Sequence, residues 1–223
     1  SPMSKFTRKV IPEVVVEKAI YHAHDIGQKL ASKNDILKNA GVDTIEELRH
    51  KDLALSDKLA SNVHKWAIGF AGSEGFGTAT MVADVGAVIV LAFRTIHKIA
   101  MCYGYEVKSA EDKEFVLNIL SVSGANDMKE KKEALLALKS DFLQKKIIEE
   151  VLMSNLVKKV AKQLGINLTK RKLMQIMPII GAGIGAAVNA SYINDIAWTA
   201  RRSYQLKWLA DNEYIDANNL NNI

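Results

Sequence analysis

Asp84 stands alone in an apolar run, between Val82-Ala83 and Val85-Gly86. A carboxylate buried there must be paired, hydrogen-bonded or protonated, because burying it bare is very costly. It is held either by backbone amides and a neighbouring hydroxyl, or at the centre of a binding or catalytic site. Arg94 is ten residues on, about 15 Å along a helix and on a different face, so Asn189 or Arg201, brought in by a second helix, is the better partner. Glu74 supplies a second carboxylate for an enzyme-type cleft with Asp84 and Asn189. Asp195 and Arg202, seven apart, share a helix face and read as an ion network at or near the surface. Glu74, Asp84, Arg94, Asn189, Asp195 and Arg201 are therefore the candidate ligand-binding residues.

Other chemistries lack their residues. His22 and His24 are two apart on a helix, hence on different faces; Glu17 shares a face with His24, but no third ligand follows. No His-Glu-x-x-His or paired-cysteine spacing exists, so no metal is expected. Gly72-Ser73-Glu74-Gly75 is not a nucleophile elbow. Cys102, closing an apolar helix, reads as an inert small hydrophobe. Gly181-Ala-Gly-Ile-Gly lacks both a preceding strand and the phosphate-loop lysine, so no nucleotide cofactor is expected.

Charge points elsewhere. Between Lys145 and Lys172 lie Lys145, Lys146, Lys158, Lys159, Lys162, Lys170, Arg171 and Lys172, opposed only by Glu149 and Glu150. This stretch is either a solvated helix face or a surface for anionic phospholipid. Lys158, Lys159, Lys162, Lys170, Arg171 and Lys172 are the candidate membrane contacts. Nucleic acid ranks last, because no aromatics interleave with the basic residues for base stacking.

The elements that must position these residues are helical. Three prolines, 7% aromatics and abundant Ala, Leu, Lys and Glu favour helix over sheet in the 223 residues. One cysteine excludes an internal disulfide framework and fits a reducing compartment. Pro12 to Ala31 predicts an amphipathic helix burying Val15, Ala19, Ile20, Ala23, Ile26 and Leu30. An irregular stretch follows it. Thr44-Ile-Glu-Glu47 is a capping box. Ser56 is positioned to cap a helix carrying Leu59, Val63, Trp66 and Ala67, weakened by glycines 69, 72, 75 and 77. A long helix runs from Thr78 to Cys102 and stops at Gly104. Ser109 with Asp112 caps the next, with Phe115, Val116, Ile119 and Leu120. After Gly124 a charged amphipathic stretch reaches Gly165, its natural stop, with a break near Ser154-Asn155. From Leu173 to Asn194 no charged side chain occurs, and the last helix continues to about Trp208.

Two glycine-studded apolar segments, around Gly75 and Gly183, are expected to pack on each other at the centre. Ile184, Val188, Tyr192, Ile196, Ala200, Tyr204 and Trp208 form a continuous ridge beside a small-residue ridge of Gly181, Gly185 and Asn189. Neither segment suits a bilayer: only nine residues separate Asp84 from Arg94, and Leu173–Asn194 holds several polar groups. The fold expected is all-α, a single multi-helix bundle with two buried glycine-rich helices. Its domain spans 10–212, between a disordered 1–9 that begins with a cloning remnant, Ser1-Pro2, and a flexible 213–223. No secretory signal is visible at the N-terminus.

The run from Gly69 to Tyr105, with Ala83-Asp84 and Phe93-Arg-Thr-Ile-His-Lys-Ile-Ala-Met-Cys-Tyr-Gly-Tyr105, resembles the EcsC family. Glu114-Phe-Val-Leu-Asn-Ile-Leu120 belongs to the same pattern. So does Thr169-Lys-Arg-Lys-Leu through Pro178-Ile-Ile-Gly-Ala-Gly-Ile-Gly-Ala-Ala-Val-Asn189 to Ala200-Arg-Arg-Ser-Tyr204. The resemblance covers roughly Ala60 to Leu209. It implies a bacterial, helical, intracellular group, named for a gene beside an ABC-transporter pair. Its members are described as membrane-associated and have no established activity. Val85-Gly86 replaces the proline expected after the Asp, which predicts a less kinked central helix.

Three functions follow as expectations. The first is a non-enzymatic, peripheral membrane or lipidic-ligand-binding protein on the inner face of the cytoplasmic membrane. The second is an enzyme built on Asp84 and Asn189. The third is a pore-former or a regulatory partner of ABC-transporter components.

Overall fold

The computed structural model describes residues 12–72, 81–143, 150–175 and 183–216, with side chains placed except at 81–85, 139–143, 150–152, 167, 168 and 170–188. The described residues form nine α-helices and no strand. They are α1 (Glu13–Leu30), α2 (Asn34–Ala40), α3 (Ile45–Leu48), α4 (Leu53–Ala71), α5 (Met81–Cys102), α6 (Ala110–Gly124), α7 (Met128–Leu143), α8 (Glu150–Gln175) and α9 (Gly183–Asp211).

Helix α5 is the axis, because its residues are apolar almost all round. Ile89, Ala92, Phe93, Ile96, Ile99 and Ala100 are all fully buried, as the apolar positions of a central helix must be. α1, α4 and α9 pack directly on it. Paired residues give their directions. Gly72 faces Ala190, His64 bonds Asn194 and Asp57 bonds Gln205, so α4 and α9 run antiparallel. Trp66 meets Arg94 and Asp57 meets Tyr103, so α4 and α5 are antiparallel as well. On the other side α8 lies against α1 and α6, and α7 against α6.

The local stop and start signals act as expected. Thr44 Oγ1 accepts from the Glu47 amide at 3.3 Å, and Ser109 and Asp112 form a reciprocal capping box. Gly104 closes α5 at φ +86°, where a Cβ would sit 2.3 Å from the Arg49 nitrogen. The expected ridge of α9 is buried at Tyr192, Ile196, Ala200, Tyr204 and Trp208; Ile184 and Val188 lie outside the described side chains.

Several expectations are corrected. α1 buries Val16, Ile20, Ala23, His24 and Gly27, while Ile26 and Leu30 are 45% and 49% exposed. Gly27 rotates the contact face, because its missing side chain admits the α5 backbone. The helix over Asn34–Ala40 replaces an expected irregular stretch. Asp52, not Ser56, caps α4 by accepting from the Ala54 amide, and Ser56 is buried inside the helix. Trp66 is exposed rather than inward. α8 runs through both Ser154-Asn155 and Gly165. Glycine costs a helix about 1 kcal/mol, which the burial of Val157, Val160, Ala161 and Leu164 outweighs.

Of the two glycine-studded segments expected to pack at the centre, residues 73–80 and 176–182 lie outside the described residues. Their flanking helices do meet: a Cβ on Gly72 would touch the Ala190 Cβ at 3.8 Å. Among the described residues no helix is long and apolar enough to cross a membrane.

Candidate functional site

Of the expected ligand-binding residues, Glu74 lies outside the described residues, as does the side chain of Asp84 in the first turn of α5. Asn189 is buried near the start of α9, one residue from the Ala190 contact with Gly72. Asp195 is exposed on the outer face of α9. Arg94 lies at the α4–α5 edge, its guanidinium 4.4 Å from the centre of the Trp66 ring. Arg201 lies at the α4–α9 seam instead. The two arginines therefore engage different partners.

The Arg201 seam is the richest polar cluster. α9 projects Asn194, Trp198, Arg201 and Gln205 toward α4 because these recur at the three- and four-residue spacing of one helix face. His64 Nε2 is 2.9 Å from Asn194 Oδ1, and His64 Nδ1 is 3.4 Å from an Arg201 terminal nitrogen. Since Asn Oδ1 and guanidinium N–H have fixed roles, this arrangement selects the neutral Nε2–H tautomer: His64 donates to Asn194 and accepts from Arg201. Burial holds His64 below its ordinary pKa, and the Arg201 charge acts the same way against the Asn194 hydrogen bond.

Trp198 organises the cations. Arg201 and Arg202 lie over its ring at 4.7 and 5.4 Å, favourable cation–π placements, and the His64 ring meets it edge-on at 5.2 Å. Below them Asp57 accepts from the Tyr103 hydroxyl and from Gln205 Nε2. Burial, reinforced by Asp57, pushes the Tyr103 phenol well above its ordinary range. A phenol so placed is a fixed hydrogen-bond donor, not a base.

The second feature is the outer face of α8. Along Glu150–Gln175 the helix carries Lys158, Lys159, Lys162, Lys170, Arg171 and Lys172 against a single acidic residue, Glu150. Lys158, Lys159 and Lys162 are exposed, while Val157, Val160, Ala161 and Leu164 between them face the core. None of the three makes an ion pair among the described residues. The side chains of Lys170, Arg171 and Lys172 lie outside the described set.

Other titratable groups lie buried in the core. His24 and His97 meet edge to face at 5.0 Å between α1 and α5. Burial drives His97 down to about 3, helped by His24. Cys102 is fully buried, and burial pushes its thiol up to about 12. Among the described residues no three His, Cys, Asp or Glu side chains converge to hold a metal.

Sequence reasoning missed His64, Tyr103 and Trp198 as site members. They come from segments 39 to 134 residues apart in the chain (103 − 64 and 198 − 64), and no local spacing links them. The available signal was Trp198 three and four residues ahead of Arg201 and Arg202.

Comparison with known proteins agrees with this architecture's sequence pattern. The EcsC protein family matches residues 1–209, further toward the N-terminus than the motifs alone reach. A relative in Bacillus subtilis (strain 168), the uncharacterized protein YdbA, is 28% identical over 194 residues, covering 80% of this chain and 70% of its own. No solved structure matches.

Proposed function

The chain belongs to the EcsC protein family, and from that premise we propose that it is a non-enzymatic protein that docks peripherally on anionic membrane surfaces through α8. The observation that carries this reading is the exposed lysine face of Lys158, Lys159 and Lys162, which forms no ion pair among the described residues. Exposed lysines keep their charge available to an anionic leaflet. Each contributes about 1 kcal/mol near such a surface, so three give roughly 3 kcal/mol, a partition ratio on the order of 100.

The apolar side of the same helix is taken up by packing against α1 and α6, so the contact is electrostatic and superficial. It needs no insertion. Co-sedimentation with phosphatidylglycerol vesicles beside phosphatidylcholine vesicles at low salt tests it. Retention by the anionic vesicles alone is expected; equal retention by both, or by neither, overturns it.

A further inference from the structure

We propose that Arg201 and Arg202, held on the Trp198 indole beside His64, form a binding site for a phosphate group. The site lies at the α4–α9 seam and stands independently of the α8 reading.

Two guanidiniums rest on one indole ring, at 4.7 and 5.4 Å, and an imidazole meets the same ring. Two cations held on one indole ring place positive charge at this seam, and such charge attracts an anion. The described residues supply none: neither arginine makes an ion pair among them. Asp57, a carboxylate of the same network, is occupied by Tyr103 and Gln205. Gln205 in turn accepts from Arg202 at 3.0 Å, which fixes that side chain without neutralising it.

Donor capacity is left over. Arg201 also acts on the Tyr103 hydroxyl, yet its Nε is buried without a hydrogen-bond partner, and its contact with His64 is a long 3.4 Å. Trp198 is 43% exposed, so the ring that holds both forks opens to solvent. A guanidinium pairs two acceptor oxygens in its plane. Two forks exceed what a carboxylate's two oxygens can satisfy, and match the three or four oxygens of a phosphate. The same chemistry is offered by a lipid headgroup or by a small phosphorylated molecule.

The test uses the full chain and inorganic phosphate, followed by NMR at the Trp198 indole N–H (assigned with Trp198→Phe) and at the His64 ring. Saturable shifts at both signals are expected, with affinity weakened about tenfold by Arg202→Gln, the loss of one charge-assisted pair. Arg202 is exposed, so this variant keeps the fold. Phosphatidic acid vesicles, offered to the Lys158→Gln/Lys159→Gln/Lys162→Gln variant to remove the α8 contribution, separate the two sources. Retention competed by free phosphate identifies a headgroup, and phosphate binding without retention identifies a soluble ligand. The proposal is overturned if neither probe binds, if chloride at equal ionic strength gives the same shifts, or if Arg202→Gln leaves the affinity unchanged.

Discussion

Gly27 of α1 lies so close to Phe93 of α5 that a β-carbon at position 27 would sit 2.6 Å from the Phe93 β-carbon and 2.9 Å from the Arg94 nitrogen. Neither neighbour is a flexible side-chain end: one is a β-carbon and the other a backbone nitrogen, both fixed by the α5 backbone, so a rotamer change cannot relieve the clash. This crossing sets which face of α1 is buried and brings His24 onto His97. Alanine is a better helix former by about 1 kcal/mol, yet overpacking of this kind costs about 1–3 kcal/mol. Gly27→Ala is therefore expected to lower the urea midpoint of unfolding. A rise would show that α1 sits further from α5 than described.

The buried histidine pair gives the stability a pH dependence of defined sign. Burial lowers the pKa of His24, and drives that of His97 to about 3. Asp25 and Lys113 act on His24 from the exposed side of α1 and from α6. The unfolded chain then takes up protons first as pH falls. The contribution is complete above about 6.5 and is lost between there and about 3, by up to about 1.4 kcal/mol per pH unit for His97. Urea midpoints between pH 7 and 4.5 should fall for the wild type and fall less steeply for His97→Phe. Equal slopes would mean that the His97 imidazole is solvated.

Cys102 should behave as a core residue. With its thiol pushed up to about 12 by burial, almost no thiolate forms at neutral pH, and thiolate is the reactive species. Ellman's reagent is expected to label the native protein only as fast as it unfolds, and at once in urea. Rapid labelling of native protein would assign this cysteine a chemical role.

Much of the fold was legible, for identifiable reasons. The caps at Thr44 and Ser109, the stop at Gly104 and the four-residue ridge from Tyr192 to Trp208 are local patterns, and local patterns survive folding. What misled was tertiary. Ile26 and Leu30 look like core until Gly27 turns α1, and Gly165 looks like a helix end until α8 packs on α1 and α6. The site was less legible than the fold. Arg201 was visible as a candidate, but its environment comes from α4 and α5, and Asp195 points away to solvent-exposed surface. The basic residues of α8 were legible as charge; that Lys158, Lys159 and Lys162 all face outward depends on how α8 packs.

The most direct measurement is the partitioning of the intact chain onto phosphatidylglycerol vesicles across a salt series, wild type beside Lys158→Gln/Lys159→Gln/Lys162→Gln. Docking through α8 predicts that the wild type binds at low salt and is released as screening sets in, and that the variant loses most of this binding with its fold unchanged. Identical binding curves for the two proteins would contradict it.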